Sequence, residues 1–154
     1  MKKVLVFIVF LFLNFGALGL GSYLMGGSPS SNSWYQDLPK APWTPAGWVF
    51  GAAWFTVMLL FSVYMSNIWL NFKDNNRTFL IYFMQLALNI FWNPVFFYFH
   101  EVLLAFIILL LLFASLVLLL TQSRTIKKPE GLLVLPYLIW LVIAISLNLY
   151  PLIV

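Results

Sequence analysis

Cysteine is absent from this sequence of 154 residues, and histidine occurs once, as His100. The absence of cysteine excludes disulfides, thiolate metal sites and thiol catalysis. A single imidazole without a cluster of carboxylates does not form a metal site, so none is predicted. Charge is also scarce, because only 8% of the residues are Asp, Glu, Lys or Arg, against about 25% in soluble domains. Such a chain cannot cover a surface that faces water.

Apolar residues dominate instead, at 64% of the chain with a mean hydropathy of +1.00. A helix needs about 20 apolar residues to cross a bilayer. Uncharged runs of that length occupy residues 4–25, 46–72, 78–99, 102–123 and 131–152. None alternates with the period of two that a membrane β-barrel strand shows. The sequence therefore predicts an all-α membrane protein in which residues 1–154 form one domain, a bundle of five transmembrane helices with a long structured first loop.

The first apolar run resembles a signal peptide in one respect, since Lys2 and Lys3 precede it. It is too long for the apolar region of a signal peptide, and no clear cleavage site follows it. We therefore expect it to be retained as a transmembrane helix.

Lysine and arginine predict the direction of the helices, because cytoplasmic loops carry an excess of them. With five crossings, seven of the eight lysine and arginine residues lie on one side of the membrane and Lys40 lies on the other. The seven are Lys2, Lys3, Lys73, Arg77, Arg124, Lys127 and Lys128. We expect the N-terminus in the cytoplasm, with the first loop and the C-terminus outside. The cations are dispersed between apolar runs, so membrane lipid rather than nucleic acid is the expected partner.

Amides are the main polar groups inside the predicted spans. Gln85, Asn89 and Asn93 are four residues apart and so share one face of the third span. An amide facing lipid loses its hydrogen bonds at a cost of roughly a few kcal/mol, so this face must contact other helices or a cavity. Trp140 is also expected to point inward, since interfacial tryptophans lie at helix ends. Hydrogen bonding between helices and the lining of a ligand pocket both fit this pattern.

The first loop is unusually rich in aromatic residues and proline. Residues 33–45 read SWYQDLPKAPWTP, and the three prolines restrict the backbone. Two interpretations are open for Trp34, Tyr35 and Trp43: a stacked cover over the mouth of the bundle, or anchors in the lipid headgroups. A cover above inward-facing amides and indoles suits a flat, apolar, conjugated ligand.

Four ordered motifs give the chain a resemblance to a known family. The loop carries W-Y-x-x-L-x-K-x-x-W-x-P over residues 34–45, and Trp54 follows in the second span. The third span carries Q-x-x-L-N-x-x-W-x-x-x-F-F over residues 85–97, and the fifth carries P-Y-x-x-W over residues 136–140 with Asn148 beyond. The chain resembles the translocator protein family (TspO/MBR, also called tryptophan-rich sensory proteins or peripheral benzodiazepine receptors) over nearly its whole length. Ala41 and Ala46 depart from the family pattern, which has proline at both positions.

The resemblance implies a homodimer of five-helix bundles that binds porphyrins such as protoporphyrin IX, together with flat synthetic ligands of the isoquinoline carboxamide and benzodiazepine classes. Porphyrin is then a ligand, and no cofactor is required. The implied role is sensory, in stress or in porphyrin homeostasis, and a bacterial cell membrane is the expected location. The implied ligand-binding residues are Tyr35, Trp43, Trp54, Asn89, Asn93 and Trp140.

Two other activities stay open. One is passive transport of porphyrin or lipid. The spans lack charged residues and the chain lacks an inverted repeat, and both features argue against ion-coupled transport but not against a passive carrier. Light-dependent porphyrin degradation, proposed for relatives, would involve Trp54 and Trp140, and no conventional active site is seen. The sterol motif of animal relatives fails here, because Tyr150 is followed by Pro-Leu-Ile-Val without a cation.

Overall fold

A computed structural model describes residues 1–71, 76–125 and 128–154. Within these residues, five helices are long and apolar enough to cross a membrane. The helices are α1 (Lys2–Leu24), α2 (Ser33–Asp37), α3 (Gly47–Asn71), α4 (Asn76–Phe97), α5 (Val102–Gln122) and α6 (Leu135–Ile153), with short 3-10 helices at Pro29–Ser31 and Pro129–Val134. The predicted fold class, an all-α membrane bundle of five spans with a structured first loop, is confirmed.

The predicted bounds of the spans agree with the helices to within about two residues, except at the start of the last span. That span was expected from residue 131, whereas α6 begins at Leu135, because residues 129–134 form a 3-10 helix instead. Pro136 lies in the first turn of α6, where a missing N–H costs no hydrogen bond. The predicted end of the second span at residue 72, and the cations Lys73 and Lys127, lie outside the described residues.

Left-handed backbone terminates three of the long helices. Gly26 and Gly27 follow α1 with φ of 79° and 144°, a conformation that glycine adopts without strain. His100 and Arg124 follow α4 and α5 with φ of 61° and 55°, although neither is a glycine. Non-glycine residues occupy this region rarely, and histidine is among those enriched there.

The five long helices form a closed ring. Helix α1 packs against α3 and α4, α4 packs against α5, and α5 packs against α6. Helix α6 and the 3-10 helix before it return to α3 and close the ring. The first loop covers the end of the bundle at which α1, α4 and α6 terminate, which we call the loop end. The opposite end carries the starts of α1 and α4 with Lys2, Lys3 and Arg77, and we call it the basic end.

The outer surface of the ring is apolar, as a lipid solvent requires. Large side chains such as Phe12, Phe83 and Leu111 are more than half exposed on it. The core contains large residues of several helices in full burial, among them Phe61, Tyr82 and Leu109. Polar groups buried in this core therefore need hydrogen-bond partners on neighbouring helices.

Asn14, near the middle of α1, makes two such hydrogen bonds to neighbouring helices. It is fully buried, its Nδ2 donates to Ser62 Oγ of α3 at 2.9 Å, and its Oδ1 accepts from Tyr82 OH of α4 at 2.9 Å. One amide thus connects three helices with hydrogen bonds that lipid cannot replace. It fixes their relative rotation.

Replacing Asn14 with alanine is expected to lower the free energy of unfolding by about 1–2 kcal/mol. The change leaves the Tyr82 hydroxyl without its buried acceptor, while Ser62 keeps its bond to the carbonyl of Met58. Thermal unfolding in a mild detergent measures the effect. Thr56→Ala is the matched control, because Thr56 is exposed and its hydroxyl bonds only to the carbonyl of Ala52 in its own helix. Equal stability of the two variants would contradict the role given to Asn14.

Candidate functional site

Asn32 attaches the first loop to the bundle. Its Oδ1 accepts from the backbone N–H of Tyr35 at 3.1 Å and so caps the start of α2. Its Nδ2 donates to the carbonyl of Phe97, at the end of α4, at 2.9 Å. A helix leaves its last carbonyls without intrahelical partners. A single amide therefore caps α2 and pairs one of the carbonyls at the end of α4.

Trp34 and Tyr35 lie over the end of α4. The Tyr35 ring makes edge contacts with Phe96 and Phe97, with centroids 6.1 Å and 5.2 Å away, and burial in this cluster raises the pKa of its hydroxyl above 10.0. The Trp34 ring contacts Phe96 by its edge at 5.5 Å and stacks on His100 at 4.2 Å with an interplanar angle of 18°. The start of the loop is thus packed on the bundle.

Trp43 attaches the other half of the loop to α6. Its Nε1 donates to Ser146 Oγ at 3.1 Å, and its ring contacts Tyr150 by the edge at 5.7 Å. The residue is nevertheless 56% exposed. The loop therefore spans the ring from α4 to α6 and is attached on both sides.

An aromatic cluster lies deeper in the bundle between α3 and α6. Trp54 contacts Tyr137 and Trp140 through edge-to-face arrangements with centroids 5.8 Å and 6.4 Å away. Phe50, one turn before Trp54, contacts Trp140 in the same way at 5.4 Å. Edge-to-face pairs of this kind are favourable beyond the area they bury. They hold the Trp140 ring between two residues of α3.

The predicted amide stripe joins this cluster through Tyr137. The Asn89 Nδ2 donates to Tyr137 OH at 2.9 Å, and that hydroxyl donates to Gln85 Oε1 at 3.2 Å. All three side chains are buried. Hydrogen bonding between helices, one of the two interpretations of the stripe, therefore accounts for Gln85 and for the amino group of Asn89.

Two polar atoms of the cluster are left without a partner within the described part of the chain. They are Asn89 Oδ1, an acceptor, and Trp140 Nε1, a donor, and both are buried. An unsatisfied buried polar group costs about 1–3 kcal/mol. Buried polar groups in folded proteins are nearly always paired, so each exception calls for an explanation. Both atoms belong to residues that the sequence motifs assign to ligand binding.

The Asn93 side chain lies towards α1 and not at Tyr137. Its Nδ2 donates to the backbone carbonyl of Asn89 at 3.4 Å and lies against Gly21 of α1. A Cβ at Gly21 would come within 2.6 Å of that nitrogen, so a larger residue there would displace the Asn93 amide. Of the other glycines of this span, Gly16 and Gly19 have open space where a Cβ would lie.

The six predicted site residues thus fall into three places. Trp54, Asn89 and Trp140 come together through Tyr137, while Asn93 lies one turn further along α4 against α1. Tyr35 and Trp43 hold opposite sides of the loop, in contact with α4 and α6. The motifs contained Tyr137 but gave no sign that it connects the amides to the indoles. Neither Ser146 nor Phe50 belongs to any of the motifs, so their contributions could not be predicted.

Five apolar helices around a buried amide and aromatic cluster, with a structured loop over one end, define an integral, multi-pass α-helical membrane protein. The chain belongs to the TspO/MBR family, which it matches over residues 7–153. The recognition made from the four motifs is confirmed.

Similar proteins occur in bacteria, archaea and animals. The chain is 30% identical to the tryptophan-rich protein TspO of Bacillus cereus over 145 residues, which cover 92% of this chain and 91% of the relative. It is 31% identical to the tryptophan-rich protein TspO of Archaeoglobus fulgidus, with 77% of this chain and 78% of the relative covered. It is 32% identical to the translocator protein of Ovis aries, with 75% and 70% covered.

Proposed function

We propose that this protein binds a tetrapyrrole of the protoporphyrin IX type beneath the first loop and serves a sensory role in stress or porphyrin homeostasis. The observation that carries the proposal is a pair of buried atoms in one aromatic cluster, Asn89 Oδ1 and Trp140 Nε1, which have no hydrogen-bond partner among the described residues. A bound ligand with one donor and one acceptor would satisfy both. Pairing these two groups with the ligand would contribute to the free energy of binding, because a buried polar group without a hydrogen bond is unfavourable.

A tetrapyrrole has the chemistry that this cluster calls for. Its flat conjugated ring suits contact with the indoles of Trp54 and Trp140. Its pyrrole N–H groups are donors for the Asn89 oxygen, and its carboxylates and unprotonated ring nitrogens are acceptors for the Trp140 N–H. We propose that Asn93 contacts the ligand from α4, and that Tyr35 and Trp43 of the loop enclose it.

The names of the relatives support a sensory role. A protein of Cereibacter sphaeroides that is 29% identical over 138 residues is named tryptophan-rich sensory protein. Two tryptophans of this chain, Trp54 and Trp140, meet in the inner cluster.

Titration of the protein in nanodiscs with protoporphyrin IX, followed by tryptophan fluorescence, tests this function. We expect quenching that saturates at one porphyrin per chain and at micromolar concentration. Soluble N-acetyltryptophanamide mixed with empty nanodiscs is the control for porphyrin that partitions into lipid. Quenching that rises without saturation, as in that control, would contradict the proposal.

Passive translocation is the second candidate function, favoured by the name translocator protein that the sheep and cattle relatives carry. Sealed vesicles with protoporphyrin IX outside distinguish the two functions. A binding and sensing protein leaves the rate of porphyrin entry unchanged, whereas a translocator raises it in proportion to the protein content.

We further propose the orientation that the cations predict, in a bacterial cell membrane and as a homodimer. Lys2, Lys3 and Arg77 lie at the basic end, whereas Tyr150 contacts the loop residue Trp43 at the opposite end. This arrangement supports a cytoplasmic N-terminus, with the first loop and C-terminus outside.

Single cysteines test the orientation cleanly, because the sequence contains no native cysteine. In intact cells, Ser30→Cys in the first loop is expected to react with a maleimide that cannot cross membranes. Lys3→Cys is expected to react only after the cells are made permeable. The reverse pattern would show that the chain is inserted the other way round.

A further inference from the structure

We propose that the protein binds the headgroup of an anionic phospholipid at the basic end, in a cavity separate from the proposed tetrapyrrole site. The cavity has a volume of about 540 Å³ and is lined by Lys2, Trp69, Leu70 and Phe79. It opens where α1 and α4 begin and α3 approaches its end, so it lies at the level where headgroups meet the bundle. The tetrapyrrole cluster lies towards the other end of α3, at Phe50 and Trp54.

The apolar wall of this cavity is held rigidly. The Trp69 ring makes edge contacts with Phe79 at 4.9 Å and with Phe10 at 6.4 Å, which connects α3 to α4 and α1. The indole is nevertheless 49% exposed. Tryptophan is favoured at the headgroup level because its ring is apolar and its N–H is polar. An exposed, immobilised indole beside Leu70 suits the upper part of an acyl chain and the glycerol region of a lipid.

The three helices around this wall carry cations, while the 3-10 helix at the same end of the bundle contributes the carboxylate of Glu130. In their described residues, α1, α3 and α4 carry Lys2, Lys3 and Arg77 and no carboxylate. A lysine at a membrane surface attracts anionic lipids, and its long stem lets the ammonium reach the headgroup layer. Lys2 lines the cavity itself, so its ammonium can meet a lipid phosphate whose chain lies on the indole.

This combination favours a lipid over a soluble anion. A free phosphate would use the ammonium alone and would gain nothing from Trp69, Leu70 or Phe79. A phospholipid uses both the charge and the apolar wall. An anionic lipid such as phosphatidylglycerol is favoured over phosphatidylcholine, because the choline group of the latter places a positive charge near Lys2.

Native mass spectrometry of the full chain, titrated in detergent with phosphatidylglycerol or phosphatidylcholine, tests the proposal. We expect the wild-type protein to retain one phosphatidylglycerol molecule with about fivefold preference over phosphatidylcholine. Lys2→Gln is expected to abolish this preference, and Lys2→Arg to keep it. Lys3→Gln is the matched control, because it removes the same charge from the adjacent residue, which does not line the cavity.

Three results would overturn the proposal. If Lys2→Gln and Lys3→Gln lose the preference for phosphatidylglycerol equally, only the overall charge of the basic end matters. Equal retention of both lipids by the wild-type protein would mean that no headgroup is selected. Displacement of phosphatidylglycerol by millimolar inorganic phosphate would mean that the cavity is a site for a bare anion.

Discussion

Trp140→Phe is expected to weaken protoporphyrin IX binding about tenfold, by the loss of one hydrogen bond to the ligand. The substitution keeps an aromatic ring between Phe50 and Trp54 but removes the indole N–H, which has no partner among residues 1–71, 76–125 and 128–154. The free protein therefore loses no hydrogen bond, and its stability should change little. A fluorescence or absorbance titration in nanodiscs gives the dissociation constants.

Trp48→Phe is the control for this substitution. Trp48 is 76% exposed near the start of α3, so its replacement alters tryptophan content without altering the inner cluster. We expect Trp48→Phe to bind protoporphyrin IX with the affinity of the wild-type protein. Equal affinity of Trp140→Phe and Trp48→Phe would exclude the Trp140 N–H as a donor to the ligand.

Tyr137→Phe is expected to lower the free energy of unfolding by about 2–3 kcal/mol, the largest effect on stability among the substitutions considered. The Tyr137 hydroxyl accepts from Asn89 Nδ2 and donates to Gln85 Oε1. Its removal deprives Asn89 Nδ2 and Gln85 Oε1 of this partner, beside an Asn89 oxygen that has no partner in the described part of the chain. Thermal or denaturant unfolding in detergent measures the change.

Tyr23→Phe is the matched control, because the Tyr23 side chain is 81% exposed at the end of α1. Protoporphyrin IX should also restore part of the stability of Tyr137→Phe, since a ligand that binds only the folded protein stabilises it. If Tyr137→Phe and Tyr23→Phe unfold at the same temperature, the hydroxyl of Tyr137 does not organise the cluster.

The helices could be predicted from the sequence because lipid imposes a simple rule. A segment of about 20 apolar residues must satisfy its own backbone by forming a helix. Residues 131–134 belong to the last apolar span, but they form a 3-10 helix between Pro129 and the first turn of α6. Local backbone preference, rather than hydropathy, determines where that helix begins.

The pairing of side chains across helices could not be predicted in the same way. Periodicity placed Gln85 and Asn89 on one face, but their common partner Tyr137 depends on α6 lying within reach of α4. Asn93 belongs to the same sequence stripe, yet it lies against Gly21 of α1 because the face of one helix meets two neighbours. Such partners follow from the order of helices in the ring, which sequence motifs do not encode locally.

His100 shows a second limit of sequence reasoning. His100 lies beside Glu101 between α4 and α5 and is exposed. Its ring nevertheless stacks on Trp34, and its backbone has a φ of 61°. A stacking partner 66 positions away in the sequence could not be inferred from a single histidine.

The most direct test of the central claim is the NMR spectrum of the protein labelled with ¹⁵N at the indole nitrogens, in nanodiscs. The seven tryptophans are assigned by single Trp→Phe substitutions and followed during titration with protoporphyrin IX. We expect the Trp140 N–H signal to shift and to saturate at one porphyrin per chain, while the signal of Trp69 at the basic end stays in place. An unshifted Trp140 signal at saturating porphyrin, or equal shifts of all seven signals, would contradict it.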